Sequence, residues 1–227
     1  MTDMLGTLDD APEVLAFGGR TRNEDLILAC VQLGYLNPHW ITIDPTYGEG
    51  RFWAKWRPDM LYASDLNSAK SPAGRPIDAR DLPYDDDSAD VVVLDPRYKL
   101  NGTSTGEGPS ASDVDYGADE QLKWQDVHKQ MFEMIDEAAR VLRPRGVLLL
   151  KCQDQVCSGR KRWQTREMSE YAEDHHGFRL RDMLHVEGGR KQPGKQAHAR
   201  GNYSTLLVLV LDGLPWRTDN GTWRVGR

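Results

Sequence analysis

Four short segments that favour β-strands each end at, or just before, an aspartate, and this repeated pattern constrains the fold more than any other feature. The acids are Asp44, Asp65, Asp81 and Asp95. Three of the segments are short apolar runs, and the third in chain order is either a short strand or a connector; they span residues 40–44, 60–64, 77–81 and 89–94. Short, nearly continuous apolar runs are typical of strands buried on both faces of a parallel sheet.

Helical patterns alternate with these strands along the chain. Apolar residues recur at helical spacing over residues 24–34, 123–142 and 165–176, and further strands are predicted at 147–151, 178–186 and 204–211. The alternation predicts an α/β fold with a doubly wound, mostly parallel sheet, in a single domain spanning residues 1–227. Three segments lie outside this pattern: a lead-in (1–22), a mobile substrate loop (99–125) and a tail (213–227).

Composition and cysteine usage exclude several classes of protein. No apolar run approaches the roughly 18–20 residues of a membrane-spanning helix. The three cysteines, Cys30, Cys152 and Cys157, include no closely spaced pair of the kind found in zinc sites or disulfide frameworks. We therefore expect a cytoplasmic, reduced protein with no bound metal and no membrane contact.

Charge is distributed unevenly along the chain. The net charge is −6, but residues 151–227 carry 14 bases against 9 acids. A basic C-terminal third is typical of a face that contacts phosphates, although a solvated charged surface explains it equally well. The candidate substrate residues here are Arg160, Lys161, Arg200 and Asn202.

A glycine-containing turn follows the first strand, with the sequence Asp44-Pro45-Thr46-Tyr47-Gly48-Glu49-Gly50. Its glycines permit close approach of the backbone to a ligand. The turn is not the GxGxxG of dinucleotide enzymes, and a carboxylate at the strand end repels phosphate, so the expected ligand carries an ammonium or sulfonium and no diphosphate. The alternative is a turn that merely connects two elements.

Two further acids extend this hypothesis. Asp65 follows the first strand by about 20 residues, a spacing at which an acid typically accepts hydrogen bonds from ribose hydroxyls. Asp81 and Leu82 are placed to receive an adenine amino group and cover the ring. For Asp81, a simple turn role is the competing interpretation.

The order of these pieces resembles the class I S-adenosylmethionine (SAM)-dependent methyltransferases, from about residue 41 to residue 211. Within that class the chain is similar to amino-directed DNA methyltransferases, which carry an [Asp/Asn/Ser]-Pro-Pro-[Tyr/Phe/Trp] tetrad; here the tetrad is Asp95-Pro96-Arg97-Tyr98. Residues 141–146 (VLRPRG) resemble the turn before the fifth strand of that family. The resemblance implies a Rossmann-like fold, SAM as cofactor, and cofactor contacts from Asp44, Pro45, Tyr47, Gly48, Gly50, Phe52, Asp65, Leu66, Asp81 and Leu82.

The tetrad has a chemical logic. An exocyclic amine is a weak nucleophile because its lone pair is delocalised into the ring. The Asp95 carboxylate and the Pro96 carbonyl can each accept one N–H, which favours a pyramidal nitrogen whose lone pair points at the methyl group. Tyr98 is expected to stack on the base, which a duplex substrate must flip outward. Arg97 departs from the family pattern and becomes a candidate phosphate contact. A plain strand-ending turn is the alternative.

These inferences predict methyl transfer to an exocyclic amine of a nucleic-acid base, with adenine N6 or cytosine N4 in DNA favoured over RNA. The chain offers no room for the recognition region of sequence-specific DNA methyltransferases, so a short site, a single-stranded substrate, RNA and a target delivered by a partner stay open. The alternative substrates are tRNA, rRNA, a protein glutamine and a small amine. A SAM-binding module without catalysis is the alternative of another class, and a dehydrogenase fits worst. The sequence leaves the oligomeric state open.

Overall fold

The computed structural model describes residues 22–100, 122–188, 201–212, 216–217 and 223–224. The predicted lead-in, apart from its last residue, most of the predicted substrate loop and most of the predicted tail lie outside these residues, as does Arg200.

A six-stranded sheet forms the centre of the molecule. The strands are β1 (Ile41–Asp44), β2 (Met60–Ala63), β3 (Ala89–Leu94), β4 (Leu142–Cys152), β7 (Phe178–Glu187) and β8 (Tyr203–Leu211). They run in the order β2-β1-β3-β4-β8-β7, of which the first four are mutually parallel, whereas β8 is antiparallel to both β4 and β7. The prediction of an α/β fold with a mostly parallel sheet is confirmed. Residues 77–81 form a connector and not a strand.

Helices cover both faces of the sheet, because alternate side chains of each central strand point to opposite sides. The helices are α1 (Asn23–Gln32), a 3-10 helix (Arg51–Trp53), α2 (Trp124–Val141) and α3 (Gln164–His176). On one face α1 and the 3-10 helix pack on Val91, Val93 and Leu149. On the other face α2 and α3 pack on Val92, Leu94 and Leu148. Nearly continuous apolar strands are thus explained by burial on both faces.

Helix α2 buries one side only. Its buried positions recur at spacings of three and four residues, which places them on one face of the helix; they are Val127, His128, Met131, Ile135, Ala138 and Val141. Helix α3 ends at Gly177, whose φ of +74° is the left-handed conformation of a helix-terminating glycine. None of the helices within the described ranges is both long and apolar enough to cross a membrane.

Two small antiparallel pairs accompany the main sheet. Strands β5 (Gln155–Cys157) and β6 (Arg160–Arg162) form a hairpin between β4 and α3. Strands β9 (Trp216–Arg217) and β10 (Trp223–Arg224) pair within the tail, where the sequence predicts no element. The β5–β6 hairpin follows the carboxyl end of β4 and therefore borders the edge of the sheet where ligands bind in such folds.

Candidate active site

A cavity of about 650 Å³ opens at the carboxyl ends of the parallel strands. Its walls come from the glycine turn after β1, the segment after β2, the loop after β3, the end of β4 and one side of α2. This volume lies within the range of small-molecule sites in proteins. The topology brings these segments together because the carboxyl ends of parallel strands share one edge of a sheet.

The glycine turn has the backbone conformation that its residues allow. Gly48 and Gly50 have φ angles of +54° and +66°, in the left-handed region that favours glycine. A Cβ on Gly50 would lie 2.5 Å from the Tyr47 hydroxyl, so the glycine also leaves space for that ring. Tyr47, Gly48 and Gly50 all lie close to the cavity, and the first two line it.

Asp44 ends β1 and lies behind the cavity, not in its wall. One carboxylate oxygen accepts hydrogen bonds from the Thr46 amide (3.0 Å) and hydroxyl (3.2 Å). The other accepts one from the Trp53 indole N–H at 2.7 Å. Burial raises the pKa of Asp44 to about 7, and the nearby Asp95 carboxylate adds to the rise. Asp44 therefore fixes the turn that forms the cavity.

Asp65 and Leu66, just after β2, both line the cavity. The Asp65 carboxylate accepts a hydrogen bond from the Gly48 amide and another from the Asn67 amide, both at 2.8 Å. The first of these bonds ties the β2 end to the glycine turn. Leu66 is 60% exposed, so an apolar surface is presented at the cavity mouth.

The acid predicted to receive an adenine amino group lies elsewhere. Asp81 is exposed, Leu82 is buried beneath α2, and neither lines the cavity. Asp78 and Ala79 from the same connector line it instead. The Arg80 guanidinium binds the Asp78 carboxylate at 2.6 Å and holds the pKa of Asp78 below its ordinary value.

The Asp95–Tyr98 loop forms one wall of the cavity, and all four of its residues line the cavity. The Asp95 amide donates to the Thr46 hydroxyl at 2.7 Å, which joins this loop to the glycine turn. The Tyr98 carbonyl accepts hydrogen bonds from the Gln155 side chain (2.7 Å) and the Gln164 side chain (2.8 Å). Gln164 is fully buried. The loop is therefore held at its first residue by Thr46 and at its last by the two glutamines.

Lys151, at the end of β4, is a residue of this site that the sequence reasoning missed. It is 4% exposed, and its ammonium nitrogen lies 3.3 Å from each Asp95 carboxylate oxygen. Burial raises the pKa of Asp95, and the Lys151 ammonium opposes that rise. A lysine at the end of an otherwise apolar strand was the available signal.

The predicted substrate residues are not all in one place. Arg97 lines the cavity. Arg160 and Lys161 lie on β6, in the hairpin whose Gln155 holds the Tyr98 carbonyl. Asn202 lies outside the cavity lining, where its backbone and side chain both pair with Gly188. Within the described ranges, no group of three or more His, Cys, Asp or Glu side chains is placed to hold a metal ion.

Solved structures share this fold. TrmN from Thermus thermophilus matches with a TM-score of 0.53 and 18% identity, over 83% of this chain and 48% of TrmN. A candidate hemolysin from Streptococcus thermophilus matches with a TM-score of 0.53 and 13% identity, over 92% of this chain and 71% of that one. A SAM-dependent methyltransferase from Aquifex aeolicus has a TM-score of 0.45 and 12% identity, over 84% of this chain and 90% of that one.

These similarities concern the fold. The chain spans about half the length of TrmN. Neither a protein-family model nor a curated protein matches the sequence.

Proposed function

We propose that the protein transfers a methyl group from SAM to an exocyclic amine of a nucleic-acid base. One observation carries the proposal: the Asp95–Tyr98 loop and the glycine turn line the same cavity and are joined by the Thr46 hydroxyl. A methyl donor held by the turn and an amine held by the loop would therefore meet within one site, as in-line transfer requires.

The residues of the cavity fit SAM. The Asp65 carboxylate would supply acceptors for ribose hydroxyls. Asp78 and Ala79, which line the cavity where Asp81 and Leu82 do not, would face the adenine. Arg51 supplies a cation for the carboxylate group of SAM. Apolar side chains line further parts of the cavity, among them Phe52, Leu66, Val127, Met131 and Met134. When bound, SAM supplies a methyl group activated by a positive sulfonium.

The chain's own residues would act on the target amine. The Asp95 carboxylate and the Pro96 carbonyl accept its two N–H groups and so hold its lone pair toward the methyl group. The Tyr98 ring stacks on the base, and the hydrogen bonds to its carbonyl keep the loop in place. Such fixed acceptors need no rearrangement as positive charge develops on the nitrogen.

DNA is the favoured substrate, with adenine N6 or cytosine N4 as the target atom. The tetrad supports an exocyclic amine. The cations of the β5–β6 hairpin support a phosphate-bearing partner, because Arg160 is exposed in the same hairpin as Gln155, which holds the Tyr98 carbonyl. RNA and protein glutamine carry comparable amines and are separated from DNA by the assay below.

The test compares three proteins, namely the wild type, Asp95→Ala and Asp59→Ala. Each is incubated with labelled SAM and with DNA or RNA, which is offered in single-stranded and in double-stranded form. Asp59 is exposed and lies outside the cavity lining, which makes it the matched control. We expect incorporation by the wild type and Asp59→Ala, and a loss of at least about 100-fold in Asp95→Ala. Full activity in Asp95→Ala would remove the proposed role of the loop.

A further inference from the structure

The pairing of β3 with β4 brings a lysine to the acid of the proposed amine site. Leu94 and Leu150 are register partners on these parallel strands. Asp95 and Lys151 each follow by one residue, so the two side chains leave adjacent strands at the same level and toward the same face. That face is the one that carries α1 and Phe52.

The ammonium of Lys151 is enclosed on several sides. Its nitrogen lies 5.3 Å from the centre of the Phe52 ring and 5.4 Å from the centre of the Tyr98 ring. Both distances allow a cation–π attraction, which stabilises a charge withdrawn from water. The same nitrogen is 3.3 Å from both Asp95 oxygens; it donates a hydrogen bond to Oδ2, whereas Oδ1 is buried and accepts none from the residues that the structure describes.

Other charged groups surround the pair. Acids and bases line the cavity in equal numbers; they are Glu49, Asp65, Asp78, Arg51, Lys70 and Arg97. Tyr47 and Tyr98 are the titratable phenols of the lining, and Asp44 lies behind it. The charge that lowers the pKa of Asp95 against the effect of burial comes from Lys151.

A buried carboxylate tends to take up a proton, and a protonated acid presents a donor where the target amine requires an acceptor. We propose that Lys151 is a positioning residue, an inference that rests on the proposed function. Lys151 keeps Asp95 ionised and holds its carboxylate in place before the amine arrives. Lys151 acts through Asp95 and makes no bond to the transferred methyl group.

Three substitutions separate charge from shape. Lys151→Met removes the charge at similar length, Lys151→Gln also removes it but keeps an N–H donor, and Lys151→Arg keeps it. Carbon-13 NMR of the Asp95 carboxyl group in the ligand-free protein measures its pKa directly. We expect a higher pKa in the Met and Gln variants and a value near the wild type in the Arg variant.

The pH dependence of kcat/KM is the second measurement. We expect the acid limb to move to higher pH in the Met and Gln variants, which lowers kcat/KM by about tenfold or more at acidic pH, while the curves converge toward the wild type at high pH. Circular dichroism verifies that each variant is folded, and the Gln variant carries the test if the Met variant does not fold.

Two results overturn this inference in different ways. An unchanged Asp95 pKa, or a loss of activity that is equal at every pH, would show that Lys151 has only a structural role, with the proposed function intact. A folded wild type that methylates no substrate would remove the proposed function and the positioning role together.

Discussion

Substituting Gly50 by alanine tests whether the glycine turn forms the cofactor side of the cavity. At a φ of +66°, any residue with a Cβ carries a conformational penalty of about 1–2 kcal/mol. The new Cβ would also lie 2.5 Å from the hydroxyl oxygen and 2.6 Å from the ring carbon of Tyr47 that bears it. Non-bonded carbon atoms have their optimal separation at about 3.5–4.0 Å, so the ring must move by about 1 Å.

Two glycines serve as matched controls. Gly74 has a φ of +72° and would place its Cβ in open space, outside the cavity lining. Gly48 has a φ of +54°, is equally uncrowded, and lies in the cavity wall. All three alanine variants carry the backbone penalty, but only Gly50→Ala displaces Tyr47. Overpacking typically adds about 1–3 kcal/mol, so we expect a total loss of about 2–5 kcal/mol for Gly50→Ala and about 1–2 kcal/mol for the controls.

Urea denaturation measures the free energy of unfolding, and calorimetry with S-adenosylhomocysteine measures affinity for the cofactor product. We expect Gly50→Ala to bind at least about tenfold more weakly than the wild type, since Tyr47 lines the cavity, and Gly74→Ala to bind normally. If Gly50→Ala matches Gly74→Ala in both stability and affinity, the turn does not shape the cofactor site.

Two further predictions concern the residues that hold the site together. The pKa of Asp44 rises from 3.8 to about 7 on folding. Protonation of its carboxyl group therefore stabilises the fold to the full extent below pH 3.8, and this stabilisation is lost as the pH rises through 7. Wild-type stability should therefore fall by about 2.5 kcal/mol relative to Asp44→Asn between pH 5 and pH 8 in denaturant titrations, whereas a constant difference would contradict the assigned pKa. Gln164→Leu removes the bond to the Tyr98 carbonyl and the acceptor of the Gln153 amide, so we expect a loss of about 1–3 kcal/mol and faster hydrogen exchange at that amide. Unchanged exchange would mean that Gln164 does not hold this segment.

Local patterns in the sequence predicted the architecture. Short apolar runs such as residues 89–94 predict strands buried on both faces, and the structure has them in a mostly parallel sheet. The placement of Asp95 follows from the same pattern, because an acid directly after a buried strand must lie at the edge of the sheet. These predictions depend on neighbouring residues, which a single sequence displays.

Partners that are distant in the chain could not be predicted in this way. The sequence does not show that Trp53 donates to the Asp44 carboxylate, which turns a proposed ligand-binding acid into a support for the turn. The Gln164 side chain reaches the Tyr98 carbonyl from 66 residues away. Lys151 joins the site through the register between β3 and β4, which depends on how the whole sheet is assembled.

The residue of the connector after β2 that lines the cavity was also not predicted. Asp81 ends a segment that the sequence allows as a short strand, but residues 77–81 form no strand. The acid of this segment that lines the cavity is Asp78, three positions earlier. A turn within this segment, closed by the bond from the Asp81 amide to the Asp78 carbonyl, changes which side chain points inward. Pattern alone does not resolve a shift of three residues in an irregular segment.

The identity of the methylated nucleoside tests the central claim most directly. DNA or RNA treated with the wild-type protein and SAM is digested to nucleosides, which are separated and identified by mass spectrometry against standards. The proposed role of Asp95 and Pro96 as the two acceptors for one amine predicts a methyl group on an exocyclic nitrogen, N6 of adenine or N4 of cytosine. A methyl group on a ring carbon or ring nitrogen, or no methylated base in any nucleic acid offered, would contradict it.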